Sequence, residues 1–322
     1  MALEIRHEES ETMERNSPRD FYFSFLSDDA LVGPFLLVAR LLTTVLFVFY
    51  VVTEIFGDPP VRALMDSNHV PNGAIIYLVL LIQIAGIVLV ALGYKTRFAA
   101  LLLAGFTITT CVLFDHAPRI NLFKDFGIVA GFFSMFAYGP GPLSLDARLA
   151  RAKSGGADGH TYRGVFSSIL ANNAIMGPLI LAGRVFVAVI FLEFGENKVV
   201  HTAEMQAYMV KHNPSFSAMN QVLTLLIYPA MWLQLIGGFC VLVGYKMRHA
   251  ALALAGFTIL AGSMFHHQFD IPAEKAQFFK DYSLTGALLF LFAYGAGSLS
   301  LDALLNRVKP SRQTAQAESP QA

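Results

Sequence analysis

The stretch GYKTRFAALLLAGFTI at residues 93–108 returns as GYKMRHAALALAGFTI at 244–259, identical at 13 of 16 positions and displaced by 151 residues. The match extends outward on both sides. Upstream, Gly33-Pro34 with Arg40 pairs with Gly177-Pro178 with Arg184. Downstream, FKD (123–125) pairs with FKD (279–281), FAYG (136–139) with FAYG (292–295), and SLDA (144–147) with SLDA (300–303), now at an offset of 156. Identity of this density over both halves reads as a tandem duplication of a four-helix unit.

Composition fixes the solvent. The 322 residues are 55% hydrophobic, with mean hydropathy +0.54 and only 14% Asp, Glu, Lys and Arg, against about 25% charged in soluble domains. Lys plus Arg and Asp plus Glu balance at 23 each, so no net field points to nucleic acid. A polytopic membrane protein in a lipid bilayer is what remains. Cys111 and Cys240 lie inside apolar runs without a CxxC motif, which reads as buried thiols rather than redox chemistry. The N-terminal stretch is acidic and lacks the apolar core of a cleavable signal peptide.

A helix crosses the hydrocarbon core in about 20 residues. The sequence offers eight such stretches, near 34–56, 74–92, 97–115, 125–142, 177–195, 222–243, 248–265 and 282–296. The expected fold is therefore all-α, with eight transmembrane helices as two four-helix bundles. Residues 33–150 form the first unit and 175–308 the second. Residues 1–32 are a cytoplasmic acidic tail, 151–174 a linker, and 309–322 a disordered tail. An even number of spans per unit makes the repeats parallel. Fourteen Lys or Arg fall in the tails, linker and GYK loops, against seven in the opposite loops, with Arg40 and Arg184 inside the membrane; this places both termini in the cytoplasm. Histidines and carboxylates collect on the other, outer face.

Several polar residues recur at matching depths. Arg40 and Arg184 sit about seven residues into their spans, where an arginine needs a partner; Asp146 and Asp302, in short helices capped by Ser144 and Ser300, are the expected structural ion-pair partners. His116 and His267 close the third spans, and Lys124-Asp125 and Lys280-Asp281 open the fourth. Glu54 in one copy, and Lys198 with Glu193 in the other, end the first spans on the same side. A histidine beside a carboxylate can relay protons near neutral pH, so these nine residues are the candidate catalytic set. The competing reading is an interfacial network that satisfies helix ends. Gln83 and Gln234, near mid-bilayer, are either interhelical hydrogen-bonding groups or ligand-binding residues. His266-His267 with Asp270 does not repeat, and adjacent helical histidines diverge, so no metal site is expected.

Each half resembles the DoxX family of four-helix membrane proteins. The second shows Arg184, Phe191-Leu192-x-x-Gly195-x-x-Lys198, Gln234, Gly237-Gly238, Gly244 to Ala251, His267, Lys280-Asp281 and Gly297-x-x-Ser300-Leu301-Asp302. The first keeps Arg40, Gln83, Gly93 to Ala100, His116, Lys124-Asp125, Gly139-Pro140-Gly141 and Ser144-Leu145-Asp146. It departs in carrying Glu54 where the second has Lys198, and both copies carry Gln where the family often has Glu. The resemblance implies a membrane subunit of a quinone-linked redox complex in the bacterial inner membrane, with quinone as ligand and any electron-carrying cofactor on a redox partner subunit. Kept beside it are a small-solute transporter or channel, and an assembly factor without chemistry of its own. The sequence does not set the oligomeric state. If Arg184 holds the fold rather than a ligand, Arg184→Ala should sharply lower folded yield in detergent; unchanged yield with lost activity would contradict that.

Overall fold

The computed structural model describes residues 29–56, 73–114, 119–153, 172–212 and 220–308. His116, the N-terminal tail to residue 28, most of the 151–174 linker and the tail from 309 lie outside these. The described residues form eleven helices and no strand. The first half contributes α1 (Asp29–Ile55), α2 (Gly73–Leu92), α3 (Thr96–Phe114), α4 (Arg119–Tyr138) and α5 (Leu145–Lys153). The second contributes α6 (Asn173–Val200), α7 (Thr202–His212), α8 (Asn220–Val243), α9 (Met247–Phe265), α10 (Pro272–Tyr294) and α11 (Leu301–Val308). Five of these helices, α1, α2, α6, α8 and α9, are long and apolar enough to cross a membrane.

The GYK segments are tight turns. Gly93 and Gly244 take φ of +67° and +68°, and Lys95 and Lys246 follow at +45° and +44°. Two left-handed residues flanking a tyrosine reverse the chain between α2 and α3 and between α8 and α9, and glycine supplies the first at no steric cost. Ser144 and Ser300 cap α5 and α11 as expected, each accepting the N–H three residues on, from Ala147 and Ala303, at 3.1 Å.

The two repeats do not stand side by side as closed bundles. Helix α1 lies along α10 rather than along α4, and α6 lies along α4, while α4 and α10 pack on each other. Equivalent residues meet across this centre. Tyr138 stacks on Tyr294 with ring centroids 4.4 Å apart. Gly131 faces its counterpart Ala287, whose Cβ is 2.9 Å from where a Cβ on Gly131 would sit. At the far end Lys124 meets Asp281 and Lys280 meets Asp125. The helices thus run parallel about a pseudo-two-fold axis between α4 and α10, as parallel repeats require.

Small residues make the close approaches possible. A Cβ on Gly286 of α10 would lie 2.5 Å from the Thr43 nitrogen and 2.7 Å from the Ala39 oxygen of α1. The equivalent contact has the glycine on the other helix: Gly183 of α6 faces Ala130 of α4 at 3.4 Å. One layer further, the Ser283 hydroxyl accepts from the Leu46 N–H at 3.1 Å, while Gly127 opposes Ile190.

One expectation changes. Helices α4 and α10 begin at Arg119 and Pro272, six and ten residues before the expected spans, so the Lys-Asp pairs lie inside helices instead of at their entry. Pairing across the axis satisfies these charges, which lets polar sequence continue as helix. Gly105 and Gly256 of the repeated Ala-Gly-Phe-Thr do not mediate close packing, since nothing lies within 4 Å of a Cβ there; the buried members are Ala104, Thr107, Ala255 and Thr258. A contrast follows. Gly286→Val should push α1 off α10, costing about 1–3 kcal/mol as overpacking does and lowering the melting temperature in detergent, whereas Gly256→Val should leave it unchanged. Equal effects from the two would contradict this packing.

Candidate functional site

At the GYK end the two buried arginines gather helix ends. Arg184 donates through Nη1 to the Ala296 and Leu299 carbonyls, both at 2.7 Å, and through Nη2 to the Leu242 carbonyl at 3.0 Å. Arg40 donates to the Leu143 carbonyl at 2.5 Å and the Val90 carbonyl at 3.5 Å. These carbonyls lie at the ends of α2 and α8 and in the loops leaving α4 and α10, where intrahelical partners run out. The expected direct pairing with Asp146 and Asp302 is not what the hydrogen bonds show. The Asp146 carboxylate accepts from the Lys95 and Thr96 N–H groups at 2.8 and 3.0 Å, and Asp302 from Lys246 and Met247 at 2.9 and 3.1 Å. Each aspartate caps α3 or α9 from a neighbouring helix, where the helix dipole favours an anion.

The opposite end holds the exchanged charges and a cavity. Lys124 and Asp281 approach to 2.6 Å, and Lys280 and Asp125 to 2.7 Å, so each half's lysine pairs with the other half's aspartate. Lys124, Lys280 and Asp281 are buried. Breaking one such buried pair by removing a partner costs about 3–5 kcal/mol.

On the second-half side of this exchange lies a cavity of about 420 Å³, walled by Phe191, Phe194, Phe257, Phe265, Met205 and Met209 among others. Its polar lining includes Lys124, Asp281, Lys198, Gln234, Tyr208 and His266. The Lys198 ammonium donates to the Phe194 carbonyl at 3.2 Å and sits 5.5 Å from the centroid of that ring, on which Lys124 also lies at 5.5 Å. Gln234 is 3% exposed, and its Oε1 has no hydrogen-bond partner. Helix α7 contributes Met205, Tyr208 and Met209 from one face. Burial pushes the Tyr208 hydroxyl's pKa above its ordinary value, with Glu274 and Asp281 adding to the rise, so it stays a neutral donor.

The histidine that joins this site is His266. Its Nδ1 is 2.6 Å from Glu274 Oε2 and its Nε2 is 3.7 Å from Asp281 Oδ2. His267 is exposed, with Nδ1 3.0 Å from the Met264 carbonyl, and takes no part. Sequence spacing marks His267 because it repeats; the cue to His266 is Glu274, eight residues on, across the turn into α10. Glu193 is on α6 but does not line the cavity. Helix α7 was also missed, although Met205, Tyr208 and Met209 follow helical spacing.

The first half carries the same positions with a different charge. Gln83 is buried with its Oε1 likewise unpartnered. Glu54, buried on α1, occupies the repeat position of Lys198. Among the described residues no group of three or more His, Cys, Asp or Glu could hold a metal ion.

Comparison with known proteins agrees with the repeat. The sequence profile of the DoxX family matches residues 35–116 and again 179–267. The chain is 33% identical over 129 residues to the inner membrane protein YqjF of Escherichia coli, covering 40% of this chain and 92% of that one. It is 29% identical over 126 residues to the inner membrane protein YphA of the same organism, covering 35% and 89%. Each relative is thus matched almost whole by well under half of this chain. No solved structure matches.

Proposed function

Because the chain belongs to the DoxX family of integral membrane proteins, we propose that it is the membrane subunit of a quinone-linked redox complex in the bacterial inner membrane, with the quinone head group received in the second-half cavity. All eight long helices cross the bilayer in this reading. Helices α4 and α10, of 20 and 23 residues, are long enough at 1.5 Å per residue, and their charges are carried on the axis, away from lipid. Both termini are cytoplasmic, which puts the cavity near the outer surface.

The observation that carries the reading is the cavity's make-up: aromatic and methionine walls around a few converging polar groups, the pattern of a small-molecule site. A flat ring with polar oxygens fits it. Lys198 and the neutral Tyr208 offer donors, and the unpartnered Gln234 oxygen offers an acceptor. Quinone reduction takes up electrons from the partner subunit and protons from the aqueous side. Glu274 and His266 share a hydrogen bond at the cavity's edge beside Asp281, a histidine–carboxylate arrangement that can pass a proton to a bound ligand. The first half, with Glu54 in place of Lys198, then serves as scaffold. Its Lys124 and Asp125 complete the ion-pair exchange, and His116 is its family-pattern histidine.

A second reading has one observation in its favour. Gln83 and Gln234 are both buried with an unpartnered oxygen at matching places in the two halves, as polar groups lining a solute path would be. Flux in proteoliposomes that is lost in Gln83→Leu as well as Gln234→Leu would support it. The redox reading predicts that protein purified in mild detergent carries quinone, that Gln234→Leu removes most of it, and that Gln83→Leu retains it. Absence of both bound quinone and a copurifying oxidoreductase subunit would sink the redox role.

A further inference from the structure

The charges around the cavity do not cancel. Among the residues that line it, Lys124 is paired with Asp281, and His266 lies against Glu274, which is not part of the lining. Among the described residues Lys198 has no carboxylate within ion-pairing distance; its contacts are the Phe194 carbonyl and the Phe194 ring. A part-buried ammonium against an aromatic wall is costly without a counter-charge, and such charges are normally paired. Neighbouring Lys124, on the same ring, makes the local potential more positive still. The second unsatisfied group is Gln234, 3% exposed, lining the same cavity with its Oε1 unpartnered. One wall thus lacks an anion and another lacks a hydrogen-bond donor.

We propose that the second-half cavity is an anion-selective site for a flat amphiphilic weak acid, whose ionised oxygen pairs with Lys198 and whose O–H or N–H group donates to Gln234. The apolar body lies against Phe191, Phe194 and Phe257, and Met205 and Met209, polarisable and adaptable, close over it. An acid fills both deficits with one molecule. A neutral isostere fills only the second. The first half cannot duplicate this selectivity, because Glu54 stands where Lys198 does and would repel an anion. Occupancy of this cavity is shared with the redox reading, but the preference for an ionised ligand does not depend on electron transfer.

The experiment uses full-length protein in detergent micelles, with hydroxynaphthoate and its neutral amide, hydroxynaphthamide, as probes and protein-free micelles subtracted. The acid should bind the wild type on the order of tenfold or more tighter than the amide. Lys198→Met should abolish that difference by weakening the acid alone, Gln234→Leu should weaken both probes, and Glu54→Gln should leave both unchanged. Equal affinity of acid and amide for the wild type overturns the proposal, and this comparison holds even if Lys198→Met does not fold. Retained preference in a folded Lys198→Met also overturns it. Acid binding in a protein that carries no quinone and has no redox partner would overturn the redox role while leaving this site in place.

Discussion

Everything at the histidine-bearing end depends on one exchange: Lys124 with Asp281, and Lys280 with Asp125. Four charges in the low-dielectric centre of a membrane protein are tolerable only when paired, and here the pairing partner always belongs to the other half. That requirement orients α4 against α10, fixes the axis between them, and draws α1 and α6 across to pack on the opposite repeat's central helix. The glycines follow from it. Gly286 and Gly127 are needed where the crossing helices approach α10 and α4, and Gly131 is needed where the central helices meet each other.

The exchange also ties fold to site. Asp281 is at once a partner of Lys124, a neighbour of His266 and part of the cavity lining, so the charge that holds the halves together also borders the cavity. At the opposite end the same symmetry is used for scaffolding alone. Arg40 and Arg184 collect carbonyls, Asp146 and Asp302 cap α3 and α9, and Tyr138 stacks on Tyr294. The two ends therefore differ in kind. One ties helix ends together through arginine–carbonyl and aspartate–N–H hydrogen bonds in both halves, whereas the other leaves the Gln83 and Gln234 oxygens unpartnered and, in the second half, Lys198 without a carboxylate.

Much of this was legible in the sequence because duplication makes residues visible. The repeat identified the turns at Gly93 and Gly244, the Ser144 and Ser300 caps and the eight long helices of the two units. It also drew attention to Lys124, Asp125, Lys280, Asp281, Gln83 and Gln234. What repetition cannot reveal is the partner across the axis. A sequence read one unit at a time pairs Lys280 with its own neighbours, and the same habit assigns Asp302 to Arg184 when its nearer demand is the open N-terminus of α9. Features found in one copy only were hidden for the opposite reason. His266 lacks a repeat, so the eye settles on His267, which has one. Helix α7 lies in a stretch too short and mixed to register as a span, and only its packing over the cavity gives Met205, Tyr208 and Met209 a common face.

The claim that the halves are locked by exchanged charges is tested most directly by reversing one pair in the full-length protein. Lys280→Asp alone would set two carboxylates together, and Asp125→Lys alone two ammonium groups; each should lose most folded protein in detergent. The double reversal should recover it, with a coupling of about 2 kcal/mol or more where stability can be measured. Single variants that fold like the wild type, or a double variant no better than the worse single one, would contradict the exchange as the constraint on which this fold depends.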